Sequence, residues 1–425
     1  MVRIFRCHQS SALENLLINS VASYLHFLLL FLLGLLAVVV PNSFQLATAC
    51  LLLLCSLISL PSVYRNGLNC WIFGFVVVSW LVTSIYVAVG VVAGAPIQAV
   101  LQVIFIYIIS PSLWIVVFSG LLHRVSMNLV VKIFLVYTAL SILSIALFFF
   151  LFTKFGAEAV SVFKEDANVN VSGGYSGATM HVYGSLIFLT AAFFSASDLI
   201  QRVSIRWVLL MCLFLGAITS GRSALILAAP IGILVNFFVR SYSLKSFKDI
   251  LFHLSFIFFF FFFCAWFLFY FYSIDVAHII KLFFEEIIQG GGSARSGQTS
   301  ALLEGINDNY GLGSGHGIGV DYIRSGQFPW RYEVVWLATI FRVGFIGAFL
   351  YFLPFALYAA GIFYLWLKGR IDSYDRFLFG GFLAVFVAST TNPYIEAFTF
   401  QWMYVLPVCH FFTKASRCKS LGVLD

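Results

Sequence analysis

The chain has 425 residues, of which 62% are hydrophobic and only 10% are charged. Soluble domains carry about 25% charged residues, so this composition excludes a water-exposed globular protein and predicts a surface that faces lipid. The net charge of +7 does not indicate nucleic acid as a partner, since Lys and Arg first set the orientation of a membrane protein. The eight cysteines form no CxxC pair and are interpreted as small apolar residues rather than disulfide or metal ligands.

Apolar spans recur along the whole chain. A helix needs roughly 20 apolar residues to cross about 30 Å of hydrocarbon. The sequence therefore predicts an all-α polytopic membrane protein with about twelve transmembrane helices in one domain, residues 1–425. The predicted spans are 19–40, 43–60, 71–90, 97–120, 129–153, 179–197, 207–219, 223–239, 249–272, 333–367, 377–391 and 398–413. The tenth span is long, and its first half is expected to lie tilted in the membrane interface.

Basic residues are unequally distributed between the loops. With the N-terminus inside, sixteen of the 24 Lys and Arg residues lie in inside segments, as the positive-inside rule requires. An even number of spans then places both termini in the cytoplasm. Two outer loops are long, at residues 154–178 and 275–332, whereas the inside loops are short. Catalytic or binding chemistry is therefore expected at the outer face.

The second outer loop contains a glycine run. Residues 295–306 favour a short helix, and residues 311–319 read GLGSGHGIG. Such a run can approach a ligand closely and present backbone N–H groups to it. Gly313, Gly315 and His316 are accordingly predicted to contact substrate, and a flexible surface loop is the alternative interpretation.

Arginines near the outer face are candidate phosphate ligands, because the guanidinium group forms paired hydrogen bonds with phosphate oxygens. Arg295, Arg324 and Arg331 flank the glycine run. Arg222 lies between two apolar spans, where a charge usually marks a ligand site or a pathway. The alternative for Arg222 is a side chain that extends to the outer headgroups.

Several further polar residues lie near these arginines. Glu333 opens the tenth span and is the candidate general base for a sugar hydroxyl, unless it only stabilises the helix dipole. His181 lies where the first outer loop re-enters the membrane and is a candidate sugar ligand, with a structural role as the alternative. Glu396 is expected to be solvated, whereas Arg342 faces either a partner helix or the lumen. No His, Asp or Glu set has metal-ligand spacing, so neither a metal nor another cofactor is expected.

Four short motifs together resemble the superfamily of O-antigen ligases and O-antigen polymerases (Wzy). The motifs are SGRSALI at 220–226, the late outer loop with Arg295 and GLGSGHGIG, Gly344-Phe345-Ile346-Gly347 in the tenth span, and TNPYI at 391–395. The resemblance covers the topology of nearly the whole chain and implies a fold similar to GT-C membrane glycosyltransferases.

One departure favours the polymerase branch. Ligases of this superfamily typically carry His-Asn eleven residues before the first glycine of Gly-x-x-Gly. Here that place holds Glu333-Val334. The resemblance then implies polymerisation of polyprenyl-diphosphate-linked repeat units into O-antigen or capsular or exopolysaccharide, at the outer face of the bacterial cytoplasmic membrane.

The implied reaction needs an acceptor sugar hydroxyl that attacks the anomeric carbon while polyprenyl diphosphate leaves. Arginines would stabilise the leaving charge, and an apolar groove would hold the polyprenyl tail. The implied partners are the lipid-linked donor and acceptor and membrane lipid, and binding of a chain-length regulator protein stays open. The alternatives are a ligase that transfers glycan to lipid A core or protein, and a flippase or transporter of lipid-linked oligosaccharide, for which matched halves are expected.

Overall fold

A computed structural model describes most of the chain. It covers residues 25–156, 167–172, 175–180, 182–219, 223–240 and 293–420, with the single positions 255, 259, 262, 266 and 270. His181 and Arg222 lie outside the described residues, as do loop residues 275–292 and most of the predicted span 249–272.

Helices follow the predicted spans in the described part of the chain. Their bounds are α1 Leu25–Val38, α2 Gln45–Asn66, α3 Cys70–Val92, α4 Ile97–Ile104, α5 Ser110–Arg124, α6 Met127–Phe155, α7 Val182–Ser195, α8 Val203–Thr219, α9 Ser223–Arg240, α10 Ser293–Asp308, α11 Val335–Leu367, α12 Ser373–Ala388 and α13 Trp402–Ser420. A π-helical turn, Phe105–Ile109, joins α4 to α5. Helix α10 contains the short helix predicted at 295–306.

Five helices in the described ranges are long and apolar enough to cross a membrane. They are Gln45–Arg65, Cys70–Val92, Ile97–Arg124, Met127–Phe152 and Val335–Leu367. Shorter apolar helices, α1, α7, α8 and α9, accompany them. Many large apolar side chains on these helices are exposed on the protein surface, and lipid covers such a surface at no cost in hydrophobic free energy. The predicted helical fold is therefore confirmed, and these apolar helices are consistent with the predicted membrane protein.

Residues 167–172 and 175–180, which lie in and just after the loop predicted at 154–178, form a β-hairpin that the all-α prediction did not include. Strands β1 Ala167–Ser172 and β2 Tyr175–Met180 pair antiparallel, with Ala167 opposite Met180. The strand sequence ANVNVS alternates in polarity, which is the pattern of a strand with two different faces. This alternation was the feature of the sequence that could have predicted the first strand.

Helix α7 forms the centre of the bundle. Each of its residues is buried, and it packs against α9 and α12. Helices α2 and α13 pack on α5, while α3 and α10 pack on α11. The described part of the loop predicted at 275–332 is held on α11 by a small apolar cluster of Leu302, Tyr332, Ala338 and Phe341. This packing gives the loop residues fixed positions relative to the helices.

A charged network connects the 3₁₀ turn Ser197–Leu199, α12 and α13 at the start of α12. Asp372 and Asp375 form a capping box, and the Lys414 ammonium donates to Asp372 at 2.7 Å and to Asp375 at 2.6 Å. Arg376 donates to Asp198 at 2.8 Å. The Asp375 residue is only 1% exposed, so its charge depends on the Lys414 contact.

Candidate functional site

Helix α11 is interrupted at Gly344, whose φ of 65° and ψ of 178° are not helical. The glycine run fills this interruption. The N–H of Ser314 donates to the carbonyl of Phe341 at 2.8 Å, and the N–H of Gly315 donates to the carbonyl of Arg342 at 2.9 Å. These bonds satisfy carbonyls that a broken helix would otherwise leave open.

The glycine run also packs on α3. The N–H of His316 donates to the carbonyl of Tyr86 at 2.9 Å. Gly315 has a φ of 93°, and a Cβ there would lie 2.3 Å from the backbone nitrogen of Gly90. The run is thus a packed element and not a free surface loop. Because the N–H of Gly315 already binds protein, the roles of Gly313 and Gly315 in contacting substrate stay predictions.

His316 is buried, with 1% exposure, at the end of a hydrogen-bond chain. The Thr83 hydroxyl donates to the Ser79 carbonyl at 2.7 Å, so its oxygen accepts the Tyr351 hydroxyl proton, also at 2.7 Å. The Tyr351 oxygen then accepts from Nε2–H of His316 at 3.2 Å. This assignment makes Nδ1 a buried acceptor with no partner among the described residues. Burial, with the charge of Arg342, lowers the pKa of His316 to about 3, so the ring is neutral.

Three residues predicted from the sequence meet in one ion cluster. The Glu333 carboxylate accepts from Arg295 Nε at 2.9 Å on one oxygen and from Arg324 at 2.7 Å on the other. The N–H of Glu333 donates to the side-chain oxygen of Gln298 at 2.9 Å. All three charged side chains are partly exposed. Arg295, Arg324 and Glu333 form the first of two ion clusters.

A second ion pair lies deeper. Arg342, 5% exposed, pairs with Glu396, 4% exposed. The Tyr107 hydroxyl donates to Glu396 Oε1 at 2.8 Å, and Arg342 also donates to the Trp330 carbonyl at 2.7 Å. The expectation that Glu396 is solvated is therefore wrong. A 3₁₀ turn, Tyr394–Glu396, carries it into the bundle, where a carboxylate needs a cation and hydrogen-bond donors. Arg342, undecided from sequence, faces partner elements inside the bundle.

Arg331 is electrostatically linked to both ion clusters. Its guanidinium carbon lies 5.4 Å from the centre of the Phe328 ring, and it forms no ion pair with a residue that the structure describes. Burial lowers the pKa of Arg331; the charge of Glu396 opposes this shift, while those of Arg342 and Arg324 add to it. The two clusters and Arg331 together contain four arginines and two glutamates, so their local charge is positive and suits an anion.

The buried pair rests on the π-helical turn, an irregularity that occurs often at functional sites. Gln401 donates to the Ile106 carbonyl at 2.8 Å and accepts from Ser110 at 2.7 Å. The ring of Tyr107 stacks on that of Tyr351, with centroids 5.6 Å apart. Sequence reasoning missed Tyr107 and Gln401. In the sequence, the only indication of their role was that each places a polar group inside or beside an apolar span.

An apolar groove of about 170 Å³ borders this buried pair. It runs between α3, α5, the second half of α11 and α13. Tyr107, Tyr351 and Gln401 line it next to Glu396 and its partners, and Trp80, which is 45% exposed, also lines it. The rest of the lining is mostly apolar and includes Phe75, Ile115, Leu350, Phe355, Val405 and Val408. The site thus places a cationic region beside an apolar channel.

Within the described ranges, no group of three or more His, Cys, Asp or Glu side chains could hold a metal ion. No protein-family model matches the chain, and no curated protein matches it.

Proposed function

We propose that this protein is a membrane glycosyltransferase that polymerises polyprenyl-diphosphate-linked oligosaccharide repeat units at the outer face of the bacterial cytoplasmic membrane. One observation supports the proposal above the others. Four arginines with only two carboxylates lie in or near two ion clusters, and the buried pair contacts Tyr107, which lines an apolar groove. A lipid with a diphosphate headgroup requires this combination of a cationic site and an apolar channel.

The proposal includes the topology expected from the sequence. The chain would cross the membrane about twelve times in a GT-C-like arrangement, with both termini in the cytoplasm and residues 154–178 and 275–332 outside. The packing of α10 and the glycine run on α11 supports an outer loop that is a fixed part of the site.

In this proposal the arginines bind the diphosphate and stabilise its charge as it leaves. Arg331 has no carboxylate partner among the described residues, and Arg295 and Arg324 share Glu333. A cluster of this kind can accept two phosphate charges without burying an unpaired anion. Arg222 is proposed to join the cluster, as the sequence predicts. Loss of one such cation should cost about 2.7–4 kcal/mol of transition-state stabilisation, by analogy with an oxyanion-hole donor.

The apolar groove would hold the first isoprene units of the carrier lipid. Its lining is largely aliphatic and aromatic, and Tyr107 and Tyr351 mark the polar end. A chain placed here would have its headgroup next to the arginines and its tail directed towards the bilayer. Contacts of His181, Gly313 and His316 with sugar stay predictions, as does the role of Glu333 as the base.

The test is elongation by the purified protein in lipid nanodiscs supplied with polyprenyl-diphosphate-linked repeat units. A ladder of longer glycans on the carrier is expected from the intact chain. Arg331→Ala should weaken the ladder strongly, whereas Arg202→Ala, an exposed arginine outside these clusters, should not. Transfer of whole glycan to lipid A core without elongation would instead identify a ligase, and translocation without bond formation would identify a transporter.

A further inference from the structure

The two carboxylates of the site are bound differently. Both oxygens of Glu333 accept hydrogen bonds from arginines, one from Arg295 and one from Arg324. In Glu396 a single oxygen, Oε1, accepts from both Arg342 and Tyr107. Its other oxygen, Oε2, makes no hydrogen bond with any residue in the described part of the chain. Glu396 therefore retains a carboxylate oxygen that can accept a proton.

The surroundings of Glu396 also suit a catalytic carboxylate. Two donors from different elements hold it, Tyr107 on the π-helical turn and Arg342 on the first half of α11. A general base must be held within hydrogen-bond reach of the proton it removes, and rigid neighbours provide that position. Glu333, by contrast, is partly exposed, and its two bonds suit the task of holding Arg295 and Arg324 in place.

Glu396 lies near the regions proposed to bind the lipid tail and the diphosphate of the donor. Its neighbours Tyr107, Ile395 and Gln401 line the apolar groove, and its charge acts on Arg331. A donor with its tail in the groove and its diphosphate at Arg331 would bring its anomeric carbon to this region. An acceptor hydroxyl that attacks the same carbon would then lie near Oε2.

We infer that Glu396, rather than Glu333, is the catalytic carboxylate of the proposed polymerase. As the acceptor hydroxyl oxygen bonds to the anomeric carbon, the bond from that carbon to the diphosphate oxygen breaks. The hydroxyl proton passes to Oε2 of Glu396, which becomes a neutral acid, and the electron pair leaves with the polyprenyl diphosphate. This inference rests on the proposed function and assigns the proton transfer within it.

The test compares Glu396→Gln and Glu333→Gln in the nanodisc elongation assay. Gln at 396 keeps an oxygen that can accept from Arg342 and Tyr107 but cannot take a proton. A fall in kcat of at least about 100-fold, with KM for the lipid-linked donor little changed, is expected, since general bases typically contribute 10²–10⁴-fold. Glu333→Gln should mainly raise KM. Glu304→Gln, an exposed acid on α10, serves as the control and should change neither constant.

Glu396→Asp covers the case in which Glu396→Gln does not fold, because the Asp variant keeps the negative charge that Arg342 needs. Its carboxylate is withdrawn by one methylene, so kcat should fall at least about tenfold in protein that binds donor normally. Unchanged kcat in folded Glu396→Gln, or in Glu396→Asp where the Gln variant does not fold, would overturn the inference while the polymerase proposal stands. If the intact chain does not elongate at all, the proposed function itself fails.

Discussion

His316 donates its Nε2 proton to the hydroxyl oxygen of Tyr351 across 3.2 Å. The contact joins the glycine run to the second half of the broken helix α11. It also fixes a neutral imidazole in an interior where a charged one would lie near the cationic Arg342. Both the stability of this junction and its response to pH follow from this arrangement.

The first prediction concerns acid sensitivity. The pKa of His316 is about 3 in the folded protein and near 6.5 when unfolded, so the unfolded chain binds a proton first as pH falls. The contribution of neutral His316 to the free energy of unfolding is fully present above pH 6.5. It decreases between pH 6.5 and pH 3 by up to about 1.4 kcal/mol per pH unit. Thermal unfolding in detergent at pH 7.5, 6 and 5 measures this. His316→Gln should show a shallower decline, and equal slopes in both proteins would contradict the assignment.

The second prediction concerns the packed glycine run. Gly315→Ala should destabilise the protein by about 2–4 kcal/mol, because it strains a φ of 93° and drives a methyl group into the backbone of Gly90. Gly326→Ala is the matched control, since a Cβ there meets nothing within 4 Å. The fraction of folded protein after heating in detergent compares the two variants. Similar yields from both would mean that the run does not hold the helix break together.

The third prediction concerns the arginines singled out by the sequence. Arg222→Ala and Arg295→Ala should each abolish long-chain surface glycan in a deletion strain complemented with the variant, at unchanged protein level in the membrane. The physical reason is the loss of a cation that stabilises the leaving diphosphate. Gel separation of surface glycan beside an immunoblot of the membranes provides the measurement. A normal ladder from either variant would remove that residue from the site.

The fourth prediction separates charge from geometry at Arg331. Arg331→Ala should reduce elongation by about 100-fold or more, in line with the loss of one oxyanion donor. Arg331→Lys should recover only part of this activity, because an ammonium keeps the charge but lacks the planar fork for two phosphate oxygens. Initial rates at several donor concentrations distinguish the variants. Full activity in the Lys variant would indicate that charge alone suffices.

The fifth prediction concerns the network at the start of α12. Lys414→Met leaves the buried Asp375 without its ammonium partner and should cost about 3–5 kcal/mol of stability. The double variant Lys414→Met with Asp375→Asn should recover most of the loss, because no buried charge then remains unpaired. Lys154→Met, at an exposed position, is the control. Melting temperatures in detergent give the comparison, and failure of the double variant to recover would contradict this explanation.

Composition and hydropathy predicted a helical membrane protein, because the free energies of transfer of apolar side chains from water to lipid add up along each span. The positions of the apolar helices followed for the same reason, whereas α10 followed from the local helical pattern of residues 295–306. The convergence of Arg295, Arg324 and Glu333 was also predictable in outline, because all three lie in or beside one loop. The β-hairpin and the interruption at Gly344 were not predicted, although alternation and a glycine marked their places.

Only the tertiary structure decided where the deeper polar groups lie. Tyr107 and Glu396 are 289 residues apart in sequence, and Arg342 lies 54 residues from Glu396, yet all three meet in one buried contact. A solvated carboxylate was the reasonable expectation for Glu396 because a charge is stable in water without any partner. The burial of Glu396 depends on a cation and a hydroxyl group supplied by two other elements. Local sequence patterns cannot predict this contact, because its partners are far apart in the chain.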